Sequence, residues 1–222
     1  MNTLDPNEFI IARKRKKYRF ALFHNANNCF ELEQWSFWHD ERPLSVELGA
    51  GTALFAVELA TIHANRRYIA IDVKADRLQK GAHLAIERGL TNIRFVRARA
   101  DQLLQVVEPA SVAELWLTFS DPFPRDRDAK RRLTSDRFLP LYEQMLVRDG
   151  ILRQKTDDHN LFDWSLEQLV TGGWRIKELS YDLHESNLSD DYKIMTTYEH
   201  KWQAEGLQTH YLSANACSAI SA

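Results

Sequence analysis

Short apolar runs rich in β-branched residues alternate with longer segments of helical period, and this alternation restricts the fold more than any other feature of the chain. Strands and helices that alternate at this spacing form βαβ units with right-handed crossovers. The sequence therefore predicts an α/β protein with a mostly parallel, doubly wound sheet. The predicted strands are 44–49, 67–72, 93–96, 113–119 and 151–156, the predicted helices are 53–64, 74–89, 134–147 and 159–171, and an antiparallel edge hairpin is expected from 174–183 and 192–202.

The two ends of the chain differ in composition from its centre. The chain has 222 residues, a length typical of one domain, and no Gly/Ser-rich or Pro-rich linker divides it. One folding unit is therefore expected over residues 40–212. Residues 1–39 form a basic N-terminal arm in this interpretation, and the small, polar residues 213–222 form a flexible tail.

Positive charge is concentrated in two short segments although the net charge is −2. Of the 29 basic residues, six lie in 13–19 and five in 125–132. Phosphates respond to such local patches over a screening length of about 8 Å, so both segments are candidates for binding a polyanion. A solvated tail and a solvated loop are the alternative.

Cysteine content and hydropathy narrow the class of protein further. Cys29 and Cys217 lie far apart, so the sequence suggests neither a metal knuckle nor a disulfide framework. The histidine-containing segment 24–29 is too loosely spaced for metal binding. No run of about 18 apolar residues and no apolar signal core occurs. The sequence thus predicts a cytoplasmic protein with no membrane and no metal partner.

The first predicted strand ends in a glycine turn that is typical of nucleotide-type cofactor sites. Gly49 and Gly51 allow a ligand to approach the backbone, and Asp72, at the end of the next strand, is placed to accept ribose hydroxyls. Dinucleotide dehydrogenases share this pattern but need a third glycine, where Leu54 stands. Glu47 suits a cationic ligand better than a pyrophosphate. A tight turn without a ligand remains an alternative.

A second unusual segment follows the fourth predicted strand. It reads LTFSDPFPRDRDAKRRLT over residues 117–134. Its two prolines restrict the loop, so we expect Asp121 to be held rigidly at the carboxyl edge of the sheet. Thr134 or Ser135 is a candidate N-cap for the next helix.

These motifs together resemble the bacterial tRNA guanine-N7 methyltransferase family. The resemblance rests on VELGAGTA at 46–53, SDPFPRDRDAKRRLT at 120–134, QKTDDHNLF at 154–162 and TTYEHKWQAEG at 196–206. It implies a class I, Rossmann-like methyltransferase domain over 40–212 that binds S-adenosylmethionine and tRNA. It further implies methylation of guanosine 46 in the variable loop. A monomer and a homodimer are both open.

The resemblance also implies roles for individual residues. The catalytic candidates are Asp121 and Asp157. The cofactor-binding candidates are Glu47, Gly49, Gly51, Asp72, Ala100 and Asp121. The substrate-binding candidates are Arg125, Asp157, Thr196 and Glu199, and the RNA-binding candidates are Arg127, Lys130, Arg131 and Arg132.

The chain departs from the family pattern near the expected adenine contact. Members commonly have an Asp-Ala pair where Arg99 and Ala100 stand, and Asp101 can substitute only if the loop shifts. Phe123 and Asp128 replace the usual tryptophan and histidine. A noncatalytic RNA-binding relative with a degenerate cofactor pocket is therefore an alternative, and a nucleotide-dependent oxidoreductase is a second.

Simpler roles are open for several candidates. Asp157 is placed to cap the helix entered at His159, and Thr196 and Glu199 are compatible with the polar face of an edge strand. The basic N-terminal segment is a candidate tRNA-binding arm.

Overall fold

The computed structural model describes residues 15–196, 199 and 206–216. The chain divides into two compact units, Met1–Val106 and Val107–Ala222. Among the described residues, no helix is both long and apolar enough to cross a membrane.

The first unit contains a four-stranded parallel sheet in the order β1-β4-β3-β2. Its strands are β1 Cys29–Glu31, β2 Leu44–Leu48, β3 Arg67–Asp72 and β4 Ile93–Arg97. Its helices are α1 Arg15–Asn25, α2 Leu54–Ile62, α3 Ala75–Glu87 and α4 Leu103–Val106. Val46, Ile69 and Phe95 are almost completely buried, as expected for parallel strands. The register pairs Leu48 with Ile71, so β2 and β3 end at the same edge.

The second unit has strands in the order β5-β6-β8-β7. Its elements are β5 Val112–Thr118, α5 Leu139–Met145, β6 Leu146–Thr156, α6 His159–Thr171, β7 Trp174–Ser180 and β8 His210–Ala216. β5 and β6 are parallel, whereas β8 is antiparallel to both β6 and β7. Thr118 pairs with Lys155, so the loops that follow β5 and β6 leave the sheet at the same edge.

The prediction of an α/β fold with mostly parallel strands and an antiparallel edge hairpin is confirmed. The second hairpin strand was wrongly predicted. Residues 190–193 form a short 3-10 helix, and β8 pairs with β7 instead. Residues 197, 198 and 200–202 of the predicted strand lie outside the described residues.

The predicted flexible tail is also wrong for residues 213–216, which belong to β8. Ser213 and Ala214 are fully buried because β8 lies between β6 and β7, where small side chains pack well. Their small size, which suggested a tail, therefore reflects close packing. Residues 217–222 lie outside the described residues.

The helix predicted from residue 134 begins later, at Leu139. Thr134 and Ser135 are not its N-caps, because their hydroxyls bond elsewhere. The Thr134 hydroxyl lies 2.7 Å from that of Ser165, and the Ser135 hydroxyl donates to the Lys130 carbonyl. The sequence also gave no sign of α1 and β1, which place residues 15–31 within the fold of the first unit.

Candidate active site

In the glycine turn after β2, every second residue has a left-handed backbone conformation. Gly49, Gly51 and Ala53 have φ angles of 73°, 54° and 55°. The Gly49 amide donates to the Ile71 carbonyl at 2.8 Å, which joins the turn to the end of β3. A Cβ on Gly51 would meet no atom within 4 Å. Backbone conformation therefore favours glycine there, and the space beside it is open.

Asp72 stabilises this turn. One carboxylate oxygen accepts the Gly51 amide and the other accepts the Lys74 amide, both at 2.8 Å. A carboxylate has about four acceptor positions, so each oxygen retains the capacity for a further hydrogen bond. The glycine turn and Asp72 thus lie together at one edge of the sheet.

Glu47 lies one residue before the end of β2 and is only 4% exposed. Its Oε2 accepts the amide of Ala56, in the first turn of α2, at 3.2 Å. The positive end of the helix dipole stabilises a carboxylate in this position. The side chain of Glu47 is therefore held beside the glycine turn within the first unit.

The segment that departs from the family pattern forms a short 3-10 turn after β4. The Arg99 guanidinium bonds Asp101 at 2.9 Å, and the Arg99 amide donates to the side chain of Gln102. Ala100 is half-buried between them. The Ala98 amide donates to the Asp72 carbonyl, so this segment adjoins Asp72. The acid of this turn is Asp101, and it is paired with Arg99.

The loop after β5 carries two strained residues that flank Asp121. Phe119 and Phe123 have φ angles of 49° and 42°, a region that bulky residues rarely occupy. The Phe119 amide donates to the Lys155 carbonyl at 2.8 Å. Asp121 itself is exposed. The loop thus presents a carboxylate to solvent from a constrained backbone.

The basic residues that follow this loop divide into two kinds. Four are exposed: Arg125, Arg127, Lys130 and Arg131. Arg131 stacks over the Phe123 ring at 4.3 Å and lies 3.4 Å from Asp128. Arg132 is buried, and its guanidinium donates to the carbonyls of the Asp121 loop. The five basic residues of 125–132 therefore include one internal arginine.

Asp157 and Asp158 follow β6 and have different surroundings. Asp158 caps α6, since its carboxylate accepts the Leu161 amide at 2.8 Å. The Asp158 amide in turn donates to the Thr156 hydroxyl. The suggestion that Asp157 caps this helix is therefore wrong. Asp157 is half-buried at the edge where β5 and β6 both end.

Thr196 and Glu199 form a reciprocal capping box. The Thr196 hydroxyl accepts the Glu199 amide at 3.0 Å, and the Glu199 carboxylate accepts the Thr196 amide at 2.9 Å. Glu199 is 2% exposed and also contacts Lys155 and His184, each at 3.0 Å. Lys155 is fully buried and donates a second hydrogen bond to the Ile194 carbonyl. The alternative of an edge-strand face is wrong for this pair.

Comparison with known proteins identifies the family. A family model described as "Putative methyltransferase" matches residues 41–212. The chain is 36% identical over 212 residues to the tRNA (guanine-N(7)-)-methyltransferase of Cytophaga hutchinsonii, with 90% of this chain and 96% of that protein covered. The chain belongs to the tRNA (guanine-N(7)-)-methyltransferase family. The enzyme of the same name from Lachnoclostridium phytofermentans is 38% identical over 181 residues, covering 80% and 84% of the two chains.

Solved structures agree on the fold at low sequence identity. The 16S rRNA methyltransferase KamB matches with a TM-score of 0.59 at 15% identity, covering 77% of this chain and 86% of its own. A SAM-dependent methyltransferase from Aquifex aeolicus matches with a TM-score of 0.53 at 10% identity, covering 79% and 84%. Membership of a methyltransferase family contradicts the oxidoreductase alternative and does not favour the noncatalytic one.

Sequence reasoning missed two supporting residues of this tRNA (guanine-N(7)-)-methyltransferase family member. Lys155 and His184 both contact the buried carboxylate of Glu199. Lys155 had one sequence signal: a lysine within a strand that is otherwise buried needs a partner of opposite charge. That partner is 44 residues away in sequence, so only the structure identifies it.

Proposed function

We propose that this chain transfers a methyl group from S-adenosylmethionine to N7 of a guanine in tRNA, with guanosine 46 of the variable loop as the target. The observation that carries the proposal is the 36% identity to a tRNA (guanine-N(7)-)-methyltransferase over nearly the full length of both chains. The resemblance of the Asp121 loop and the basic segment after it to that family supports the choice of substrate.

The first unit supplies side chains that fit the proposed cofactor. Glu47 offers a buried carboxylate to the cationic methionine portion, and Asp72 offers acceptor positions to the ribose hydroxyls. Gly49 and Gly51 let the ligand approach the backbone, and Ala100 adjoins the adenine in this proposal. When bound, S-adenosylmethionine supplies an electrophilic methyl group on a sulfonium.

The second unit supplies the groups that would select guanine. Guanine N7 carries a free lone pair, so the chemistry needs positioning rather than a general base. Asp121 and Asp157 follow neighbouring parallel strands, and carboxylates there accept hydrogen bonds from guanine N1 and its exocyclic amine. Adenine lacks this pair of donors and would leave the acids unsatisfied.

The same carboxylates favour the reaction itself. The methylated purine is cationic, so positive charge develops on the base as the new bond forms. Preorganised negative charge stabilises that state more than the neutral ground state. Asp121 and Asp157 are therefore proposed as the catalytic residues, with Asp121 also adjoining the cofactor. Arg125 and Thr196 are proposed to contact the substrate, and the buried Glu199 is proposed to hold Thr196 in place through the capping box.

Exposed arginines and lysine are proposed to hold the tRNA backbone. Arg127, Lys130 and Arg131 are exposed on one short 3-10 helix, and phosphate contacts of this kind position RNA without reading its sequence. Binding should weaken steeply with salt, since each neutralised phosphate releases counterions. The basic residues of 13–19 are proposed as a second contact.

Methyl transfer to unmodified tRNA tests the proposal. The purified chain is incubated with labelled S-adenosylmethionine and tRNA transcript, and the modified nucleoside is mapped. Labelled 7-methylguanosine at position 46 is expected, and a transcript with adenosine at that position should stay unlabelled. Label at another atom or nucleoside would overturn the assignment of target, and absence of any label would overturn the activity.

A further inference from the structure

Arg132 differs from the other basic residues of 125–132 in where its charge lies. It is 9% exposed, whereas Arg125, Arg127, Lys130 and Arg131 are all exposed. Its guanidinium stacks over the ring of Trp164 at 4.5 Å. A side chain enclosed in this way is poorly placed to contact a phosphate backbone. The RNA-binding role that the resemblance implies therefore does not suit Arg132.

The hydrogen bonds of Arg132 are directed at the Asp121 loop. Its Nε donates to the Pro122 carbonyl at 3.0 Å, and its Nη2 donates to the Phe123 carbonyl at 3.1 Å. Two donors on one rigid planar group thus fix two consecutive carbonyls. Proline has no amide hydrogen, which removes one way of holding this stretch through its backbone.

The backbone that Arg132 contacts is strained. Phe123 has a φ of 42°, and Phe119, on the other side of Asp121, has a φ of 49°. A non-glycine residue in this region persists only when its surroundings over-determine it. The Phe119 side is held by a bond from its amide to the Lys155 carbonyl. Arg132 provides the corresponding restraint on the Phe123 side.

We propose that Arg132 is a positioning residue that holds the Asp121 loop in its reactive conformation, and that it makes no phosphate contact with tRNA. This inference rests on the proposed role of Asp121 in methyl transfer. It divides the basic segment into an exposed part that binds RNA and one internal arginine that shapes the catalytic loop. A lysine keeps the charge of Arg132 but cannot present two donors in a fixed plane. Arg132→Lys would therefore preserve a phosphate contact but not the paired hydrogen bonds to the loop.

The deciding variant is therefore Arg132→Lys, compared with Arg131→Ala. We expect Arg132→Lys to lower kcat by about ten- to a hundredfold, as small misplacements of reacting groups do. Its dissociation constant for tRNA, and the slope of that constant against salt on logarithmic axes, should stay as in the unchanged protein. Arg131→Ala should instead reduce that slope by about 0.7 to 0.9, the value for one lost phosphate contact.

Hydrogen exchange provides a second readout that does not depend on activity. The peptide spanning 117–128 should exchange faster in Arg132→Lys than in the unchanged protein. Arg148→Lys is the matched control, because Arg148 is exposed and lies near the start of β6. It should change neither kcat nor exchange.

The outcomes separate this inference from the proposed function. Unchanged kcat and unchanged exchange in Arg132→Lys would overturn the positioning role, as would a reduced salt slope with normal kcat. If the unchanged protein does not methylate tRNA, the proposed function fails, and faster exchange of the loop would then still support the structural part of the inference.

Discussion

The two units hold their candidate site carboxylates by different means. In the first unit, Asp72 and Glu47 bond backbone amides of the adjacent turn and helix, at Gly51 and Ala56. In the second unit, buried charged side chains provide the support: Arg132 holds the Asp121 loop, and the Lys155 ion pair with Glu199 lies behind the end of β6. The first arrangement therefore depends on backbone amides, and the second depends on buried charged side chains.

The largest effect should come from breaking the buried ion pair. Glu199→Ala leaves Lys155 fully buried without its carboxylate, and removing one partner of such a pair typically costs about 3–5 kcal/mol of unfolding free energy. Urea denaturation measures this value. The double variant Lys155→Met with Glu199→Leu should recover most of the loss, because it removes both charges together. A loss below about 1 kcal/mol in Glu199→Ala would show that the pair is dispensable.

The next effect concerns chemistry rather than stability. Asp121 is exposed, so Asp121→Asn should leave the unfolding free energy within about 0.5 kcal/mol of its original value. Methyl transfer at saturating tRNA should fall by about a hundred- to a thousandfold, as when one preorganised stabilising group is removed. Single-turnover kinetics measure the change.

Asp126→Asn is the matched control for this variant. Asp126 is also an exposed acid and lies five residues further along the same segment, so its loss should leave the rate nearly unchanged. Equal losses in the two variants would mean that general negative charge, and not Asp121, matters for the reaction.

The sequence predicted the elements that have a clear local pattern, and it missed α1 and β1 in the first unit and β8 in the second. The predicted strand 67–72 coincides with β3, because a continuous apolar run bounded by turns is a local signal. β8 was missed because Ser213 and Ala214 are small and polar or weakly apolar, and only the strands on either side make their burial favourable.

In the candidate site too, the features with a local sequence signal could be predicted and those that depend on tertiary packing could not. Placement of Asp121 and Asp157 after neighbouring parallel strands could be predicted from the strand pattern alone. The internal position of Arg132 could not, since its contacts with Trp164 and the loop carbonyls depend on tertiary packing. The roles assigned to these residues in cofactor and tRNA binding stay predictions.

A smaller effect is expected in the glycine turn of the first unit. Gly51→Ala forces an L-residue to a φ of 54°, which costs about 1–2 kcal/mol of stability. The turn should relax away from this geometry and lose affinity for S-adenosylmethionine, measured by calorimetry. Gly89→Ala is the matched control, because Gly89 has a φ of 65° and equally open surroundings at the end of α3. Similar loss of affinity in both variants would assign the effect to general destabilisation.

The smallest effect distinguishes the two adjacent acids after β6. Asp158→Ala removes the N-cap of α6 and should cost about 1 kcal/mol, measured by thermal unfolding, with little change in kcat. Asp157→Asn should instead slow methyl transfer and leave the N-cap of α6 in place, because Asp158 supplies the cap. If Asp157→Asn instead lowers stability while methyl transfer stays normal, Asp157 is a structural residue, and the second unit would then contribute Asp121 as its only catalytic acid among the described residues.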